Sequence, residues 1–187
     1  LTMKVTAPAG VGHSIILLNN VITSTSGALN LVLWSDSGGH FAGSNIAVVG
    51  STINTNGGHL WVGGGVQAAS LWNGLTVGSG TANSWADDGQ GVYIRTSSIT
   101  TGAGSMSFSG QNNYSGTTMG TYNIGVFIAP GTTLSTTSGS IDIYGVLKGK
   151  YISGVGTVIG GWGTTTGDVT VKTTTGNINI TGTGQDT

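Results

Sequence analysis

One short pattern recurs five times along this sequence. In each copy an apolar residue is followed five positions later by glycine, and then by two apolar residues at the seventh and ninth positions. The distance between copies varies, whereas the spacing inside each copy is constant. A repeat at intervals of tens of residues is typical of stacked architectures, and alternating apolar positions indicate strands. The copies begin at Ile22, Ile53, Ile99, Leu134 and Trp162.

A second apolar pair precedes each of the first four copies, and Val155 or Val158 is the only candidate in the fifth. Each unit is therefore interpreted as a strand, a short polar bend, an anchor residue, a glycine corner and a second strand, followed by a variable segment. The earlier pairs are Ile15 and Leu17, Ile46 and Val48, Val92 and Ile94, and Val126 and Ile128.

These units predict an all-β fold, a parallel β-helix of about five coils with variable loops. Residues at matching offsets would stack as aliphatic columns inside the helix, while the intervening Ser, Thr and Asn would face water. An antiparallel sandwich is the main alternative, since it also has short alternating strands joined by Gly-rich turns. Sandwiches do not normally repeat one offset pattern five times, which favours the β-helix.

Composition agrees with an ordered β protein and excludes several functional classes. The chain has 36 glycines and no cysteine, yet its hydrophobic content is 37%, which a disordered linker would not need. Without cysteine there are no disulfides, thiolate metal sites or cysteine nucleophiles. A net charge of −1 with scattered basic residues argues against nucleic-acid binding, and no apolar run is long enough to cross a membrane.

Residues 1–187 are expected to form one β-helix segment of a longer rod or filament. The chain opens with Leu1, without a basic region typical of a signal peptide, which suggests a processed or excised segment. The pattern begins in mid-coil and still continues at Ile178 and Ile180. Both ends would therefore expose strand edges, and we expect more of the same chain or head-to-tail self-association to cover them.

Four stretches of the sequence resemble repeats of filamentous haemagglutinin-like adhesins. That resemblance implies a long right-handed β-helical shaft on a bacterial surface, and therefore an extracellular or cell-surface location. The family's secretion domain usually carries Asn-Pro motifs, whereas neither Pro8 nor Pro130 follows asparagine, so export recognition would lie elsewhere in the parent protein. The stretches are LNLVLWSDSGG (29–39), STINTNGGHLWVGGG (51–65), SSITTGAGSMSFSG (97–110) and TTLSTTSGSIDIYG (132–145).

Residues suited to catalysis or metal binding are sparse. Asp87 and Asp88 are the only adjacent acids, and they precede a glycine in a stretch that is ordinary turn chemistry. His13, His40 and His59 lie far apart, although His40 and His59 could meet in a coil. We therefore expect no catalytic residues, no cofactor and no metal site, and we do not expect an enzyme.

Aromatic residues outside the predicted columns are the best functional candidates. The longest insertion, from Gly63 to Gly91, contains Trp72 and Trp85. Exposed aromatic rings can stack on sugars or contact proteins, so both tryptophans are candidate ligand contacts and the expected partner is a glycan or a cell-surface protein. The alternative is that these rings only cover apolar edges of loops.

The predicted function is a structural shaft of an extracellular bacterial adhesin or surface filament that displays loops for adhesion. A β-helical carbohydrate-active enzyme or glycan-binding module is the second hypothesis, and it would require acids from different coils to converge. An ice-binding solenoid is the third. It would require a flat Thr-x-Thr face, and Thr170 has no evident ladder in the earlier units.

Overall fold

The computed structural model describes residues 1–6, 12–38, 43–84, 89–114, 123–148, 154–163 and 166–184. Within these ranges the regular secondary structure is entirely β. The strands are β1 (Thr2–Lys4), β2 (Ile15–Leu18), β3 (Val21–Thr23), β4 (Leu31–Trp34), β5 (Ile46–Val49), β6 (Thr52–Asn54), β7 (Leu60–Gln67), β8 (Gly78–Gly80), β9 (Ala82–Ser84), β10 (Gln90–Arg95), β11 (Ser98–Gly102), β12 (Met106–Asn112), β13 (Asn123–Ile128), β14 (Thr132–Thr136), β15 (Ile141–Leu147), β16 (Gly154–Ile159), β17 (Val169–Lys172) and β18 (Ile178–Thr183).

The strands form three sheets, which the chain visits in a fixed rotation. Sheet A has the order β1-β4-β7-β12-β15-β18, sheet B the order β2-β5-β10-β13-β16, and sheet C the order β3-β6-β11-β14-β17. Neighbours along these paths pair in parallel. This is the arrangement of a parallel β-helix or solenoid, as the repeats predicted, and it differs from the antiparallel sandwich.

The column of anchor residues in sheet C confirms four of the five predicted positions. Ile22 pairs with Ile53, Ile53 with Ile99, and Ile99 with Leu134. The next residue in the column is Val171, so the prediction of Trp162 is wrong. Trp162 instead lies half-buried against an apolar cluster that contains Phe127 and Val158.

The fifth and first units also deviate from the predicted register. In sheet B the column continues from Val126 and Ile128 to Thr157 and Ile159, rather than to Val155 or Val158. In sheet A the partners of Leu60 and Val62 are Leu31 and Leu33, two residues beyond the predicted pair Leu29 and Leu31. The constant spacing thus holds for the three middle units. In the first and fifth units, extra residues in a corner shift the register of the strand that follows.

A hydroxyl and a glycine close three successive corners between sheets C and A. The buried Thr55, Thr101 and Thr136 hydroxyls each donate to the carbonyl oxygen three residues ahead, at 2.6, 2.5 and 2.6 Å. The acceptors are Gly58, Gly104 and Gly139. A Cβ added at Gly104 would overlap the Gly58 carbonyl, and one at Gly139 would overlap the Gly104 carbonyl. Glycine recurs here because successive corners stack backbone on backbone.

The inside of the three sheets is a continuous aliphatic core. Its central members, among them Ile46, Ile94, Ile99 and Phe108, are fully buried. The aliphatic side chains in β18 differ, since Ile178 is 40% exposed and Ile180 is 51% exposed. The core is therefore complete in the middle of the stack and open at the β18 edge.

Candidate functional site

The outer face of sheet A carries the only elaborate insertion on the described part of the chain. Strand β7 continues past the sheet to Gln67, reverses, and returns as β8, which pairs with it antiparallel. Asn73 and Gly74 at the tip both have positive φ, +47° and +77°, between the bridge partners Trp72 and Leu75. An Asn-Gly pair with this geometry is typical of a tight hairpin turn.

This insertion is shorter than the sequence predicted. The chain re-enters sheet A at β9, so the segment from Ala82 to Ser84 is part of the sheet rather than of a loop. Strand β12 pairs with β7 over Met106 to Phe108 and with β9 over Gly110 to Asn112. Strand β12 therefore pairs with the chain on both sides of the insertion, where it leaves sheet A and where it returns.

Beneath the insertion lies a second apolar cluster, outside the main core. Val32, Trp34, Trp61 and Val77 are its buried members. The Trp34 indole Nε1 donates to the Gly65 carbonyl at 2.7 Å, and the Trp34 and Trp61 rings meet edge to face at 6.2 Å. We call these four residues the outer cluster. It fixes the hairpin onto sheet A, because burying aromatic surface there stabilises the folded arrangement.

The two predicted contact residues have different outcomes. Trp72 is half-buried and packs against the outer cluster, with its ring 5.7 Å from the His59 ring in an edge-on arrangement. Trp85 lies outside the described residues. Trp72 therefore combines a structural contact with a partly accessible ring, and its role in ligand binding stays a prediction.

His59 connects the insertion to a ladder of backbone hydrogen bonds. The Asn30 Oδ1 accepts from the His59 N–H at 2.9 Å, the His59 Nδ1 accepts from the Ser105 N–H at 2.9 Å, and the Ser105 Oγ accepts from the Ser140 N–H at 3.1 Å. Because Nδ1 is an acceptor here, the neutral ring carries its proton on Nε2. The sequence suggested His59 as a weak metal candidate, whereas its described contacts are structural.

We expect His59→Ala to lower the free energy of unfolding by about 1–3 kcal/mol, because the Ser105 N–H loses its acceptor. His59→Asn is the matched control, since Asn30 fills the same role one strand earlier. Both variants lose the ring contact with Trp72, and only His59→Asn keeps an acceptor for the Ser105 N–H. The difference between their free energies of unfolding in urea therefore measures the hydrogen bond alone. Equal destabilisation by both variants would contradict the ladder.

Two neighbouring depressions lie on the outer face of sheet A beside the insertion, and Tyr144 borders both. One depression of about 300 Å³ lies between Trp61, Thr81 and Tyr144, and a second of about 370 Å³ lies between Tyr144, Leu147 and Thr183. Tyr144 is 44% exposed. Tyr144 is one of the aromatic residues outside the predicted columns, and only the sheet order reveals its neighbours.

Acidic and histidine side chains are dispersed over the described surface. Asp36 is 1% exposed near Asn83, Asp142 lies on sheet A beside Asn179, and Asp168 lines a depression of about 780 Å³ with Arg95. No group of three potential metal ligands occurs among the residues that the structure describes. Asp87, Asp88 and His40 lie outside those residues.

The outer face of sheet C corrects one sequence expectation. Thr170 does belong to a ladder, because it pairs with Thr133, which pairs with Ser98, which pairs with Thr52. A second row lies two residues further along each strand and is less uniform. It consists of Asn54, Thr100, Ser135 and Lys172. The face is polar and regular, but it is not the unbroken threonine array that ice binding would require.

Two further findings complete the description of the chain. No helix within the described ranges has the length and hydrophobicity needed to span a membrane. Comparisons with protein-family models, with curated proteins and with solved structures found no match.

Proposed function

We propose that residues 1–187 form a right-handed parallel β-helix of about five coils that serves as a shaft segment of an extracellular bacterial adhesin or surface filament. The three-sheet rotation and the aliphatic columns support the helix. Parallel strands joined by crossovers are right-handed in nearly all proteins, which supports the handedness. The resemblance of the repeats to filamentous haemagglutinin-like adhesins supports the location.

The observation that carries this proposal is how the insertion joins the stack. Strand β12 pairs with β7 before the insertion and with β9 after it, so sheet A continues undisturbed under the hairpin. The outer cluster holds the hairpin on the surface without using residues of the main core. A scaffold that displays a structured loop needs this independence between the columns and the loop.

The proposed partner is a glycan or a cell-surface protein that contacts the insertion, with Trp72 and Trp85 as candidate contact residues. Trp72 retains partial exposure at the hairpin tip, beside Leu71, which is 64% exposed. We propose no nucleic-acid partner, no membrane insertion, no catalytic step and no cofactor for this segment. A β-helical carbohydrate-active enzyme stays the alternative.

Self-association is a further part of the proposal. Ile178 and Ile180 present a partly exposed apolar edge at β18, and the outermost strand of a sheet has unpaired backbone groups. More of the same chain, or a second copy stacked head to tail, would cover this edge. Either arrangement would extend the columns and lengthen the shaft.

A bead-adhesion assay tests the display role. We expect beads coated with the protein to be retained on cultured cells or on immobilised glycans, and the double variant Trp72→Ala and Trp85→Ala to lose that retention. The circular dichroism spectrum should stay β-type, because Trp72 lies outside the main core.

Trp162→Ala is the matched control, because it removes a half-buried tryptophan from a different face of the molecule. Retention of its beads should equal that of the unmodified protein. Loss of the folded spectrum in the double variant would show that the tryptophans are needed for folding. Unchanged retention by that variant would contradict the proposed contact.

A further inference from the structure

Two depressions beside Tyr144 together cross several strands of sheet A. We call the pair the Tyr144 groove, because Tyr144 borders both depressions. It extends from Trp61 on β7, past Ser107 and Ser109 on β12, to Thr183 on β18. Three interstrand spacings of ~4.8 Å give this path a length of about 14 Å. The groove is thus elongated along the stack rather than compact.

The chemistry of the groove combines aromatic surface with hydroxyl groups. Trp61 forms one wall, Tyr144 is the exposed ring, and Ser107 and Ser109 lie between them on the outward positions of β12. The Ser107 and Ser109 hydroxyls form no hydrogen bond with another described residue. They are therefore available to a ligand, whereas the Thr81 hydroxyl is already bonded to Asn83 at 3.1 Å.

Charge around the groove favours an uncharged ligand. Among the residues that the structure describes, no charged side chain lines the depression between Trp61 and Tyr144. Asp142 lies next to Ser107 in the sheet register and accepts from the Asn179 amide at 2.6 Å. Its carboxylate would repel an acidic ligand, and Lys148 lies only at the far end.

We propose that the Tyr144 groove binds a neutral saccharide chain. The C–H face of a sugar ring would stack on Tyr144, and its hydroxyls would bond to Ser107 and Ser109, which is the usual combination of apolar contact and a few polar groups. The inference rests on the proposed display role, since it names the ligand class beside the insertion. It adds Tyr144, on the face of sheet A beside the insertion, to the candidate contact Trp72.

The wall of the groove is preorganised. Trp61 is only 5% exposed and meets Trp34 edge to face, while the Trp34 indole is bonded to the Gly65 carbonyl. A Cβ at Gly63 would contact the Trp61 ring at 2.7 Å, so the absence of a side chain there lets the ring lie over the strand. A fixed wall reduces the ordering cost of binding a flexible chain.

Affinity electrophoresis with neutral polysaccharides tests this proposal. The probes are xyloglucan, galactomannan, mixed-linkage β-glucan and hydroxyethylcellulose, with heparin and polygalacturonate as acidic comparisons. We expect at least one neutral polysaccharide to retard the protein and the acidic ones not to do so. Tyr144→Ala should weaken that binding about tenfold, whereas Tyr144→Phe, which keeps the ring, should stay within about threefold.

Two further variants make the result decisive. Ser109→Phe fills the depression and should block binding although Tyr144 is present, while Thr52→Ala on the outer face of sheet C should change nothing. Binding confined to acidic polysaccharides, an absence of retardation with every neutral probe, or full binding by Tyr144→Ala would overturn the inference. Bead retention by the unmodified protein, together with no retardation by any neutral polysaccharide, would leave the display role standing and remove only the groove.

Discussion

Replacing Ile99 by aspartate is expected to abolish folding. Ile99 is fully buried in the sheet C column, between Ile53 and Leu134. A carboxylate without a partner in this core would cost on the order of 5 kcal/mol or more, comparable with the whole stability of an ordinary domain. Circular dichroism during thermal unfolding should show no cooperative transition for Ile99→Asp.

Ser98→Asp is the matched control for this experiment. Ser98 precedes Ile99 on the same strand and is exposed, because successive side chains of a strand point to opposite faces. Its substitution should change the free energy of unfolding by no more than about 0.5 kcal/mol. A cooperative transition of normal midpoint in Ile99→Asp, or an equal loss in Ser98→Asp, would contradict the assigned faces.

The second large effect is expected at a corner glycine. A Cβ at Gly139 would overlap the Gly104 carbonyl, which belongs to the backbone and cannot rotate away. We therefore expect Gly139→Ala to lower the free energy of unfolding by about 3 kcal/mol. Because Gly139 does not have a positive φ, the loss would report backbone stacking rather than dihedral strain. Urea unfolding measures it directly.

Gly184→Ala provides the comparison, since a Cβ there would meet no heavy atom within 4 Å. Its φ also lies outside the left-handed region, so alanine should be accepted with little change. Both variants add the same methyl group, and only the neighbouring backbone differs. Equal stability of the two proteins would show that successive corners are not stacked as closely as described.

The sequence was sufficient to predict the middle of the stack but not its outer units. Two alternatives fit the offsets of the fifth unit, because Val171, Gly176, Ile178 and Ile180 have the same spacing as the set that begins at Trp162. The pairing of Leu134 with Val171 selects the later set. Spacing alone cannot choose between them, since register depends on how many residues the preceding corner contains.

The predicted register of the first unit was wrong for a related reason. The corner glycines Gly176, Gly139, Gly104 and Gly58 stack on one another, and the last of them, Gly58, stacks on the carbonyl of Leu29. No described residue precedes Leu29 in this column, so a side chain is accommodated there. The sequence pattern indicates Gly27 as the corner glycine, and the Ser24 hydroxyl does donate to the Gly27 carbonyl at 2.7 Å. Gly27 has a φ of +77°, however, and Gly58 stacks on Leu29 instead. Glycine is needed at a corner only where the backbone of the preceding corner lies against it, and this condition is absent at Leu29.

Part of the candidate site was predictable from local signals. The length of the insertion and its tryptophans indicate it in the sequence, and the Asn73-Gly74 pair between Trp72 and Leu75 is a further local signal for a hairpin. The groove at Tyr144 was not predictable. It needs Trp61, Ser107 and Tyr144 side by side on one face, and these become neighbours only once the strand order of sheet A is known.

Disulfide crosslinking tests the parallel stack most directly, because the chain has no cysteine of its own. Thr52 and Ser98 are paired across β6 and β11. At an interstrand spacing of ~4.8 Å, the double variant Thr52→Cys and Ser98→Cys should form an intramolecular disulfide on mild oxidation. Thr52→Cys with Thr133→Cys spans two spacings, about 10 Å, and should stay reduced.

Mass spectrometry of protease digests identifies the crosslinked peptides and separates intramolecular from intermolecular bonds. The stack predicts a rapid crosslink between positions 52 and 98 and none between positions 52 and 133. Failure of the first pair to crosslink in the folded protein, or equal crosslinking of both pairs, would contradict the parallel β-helix.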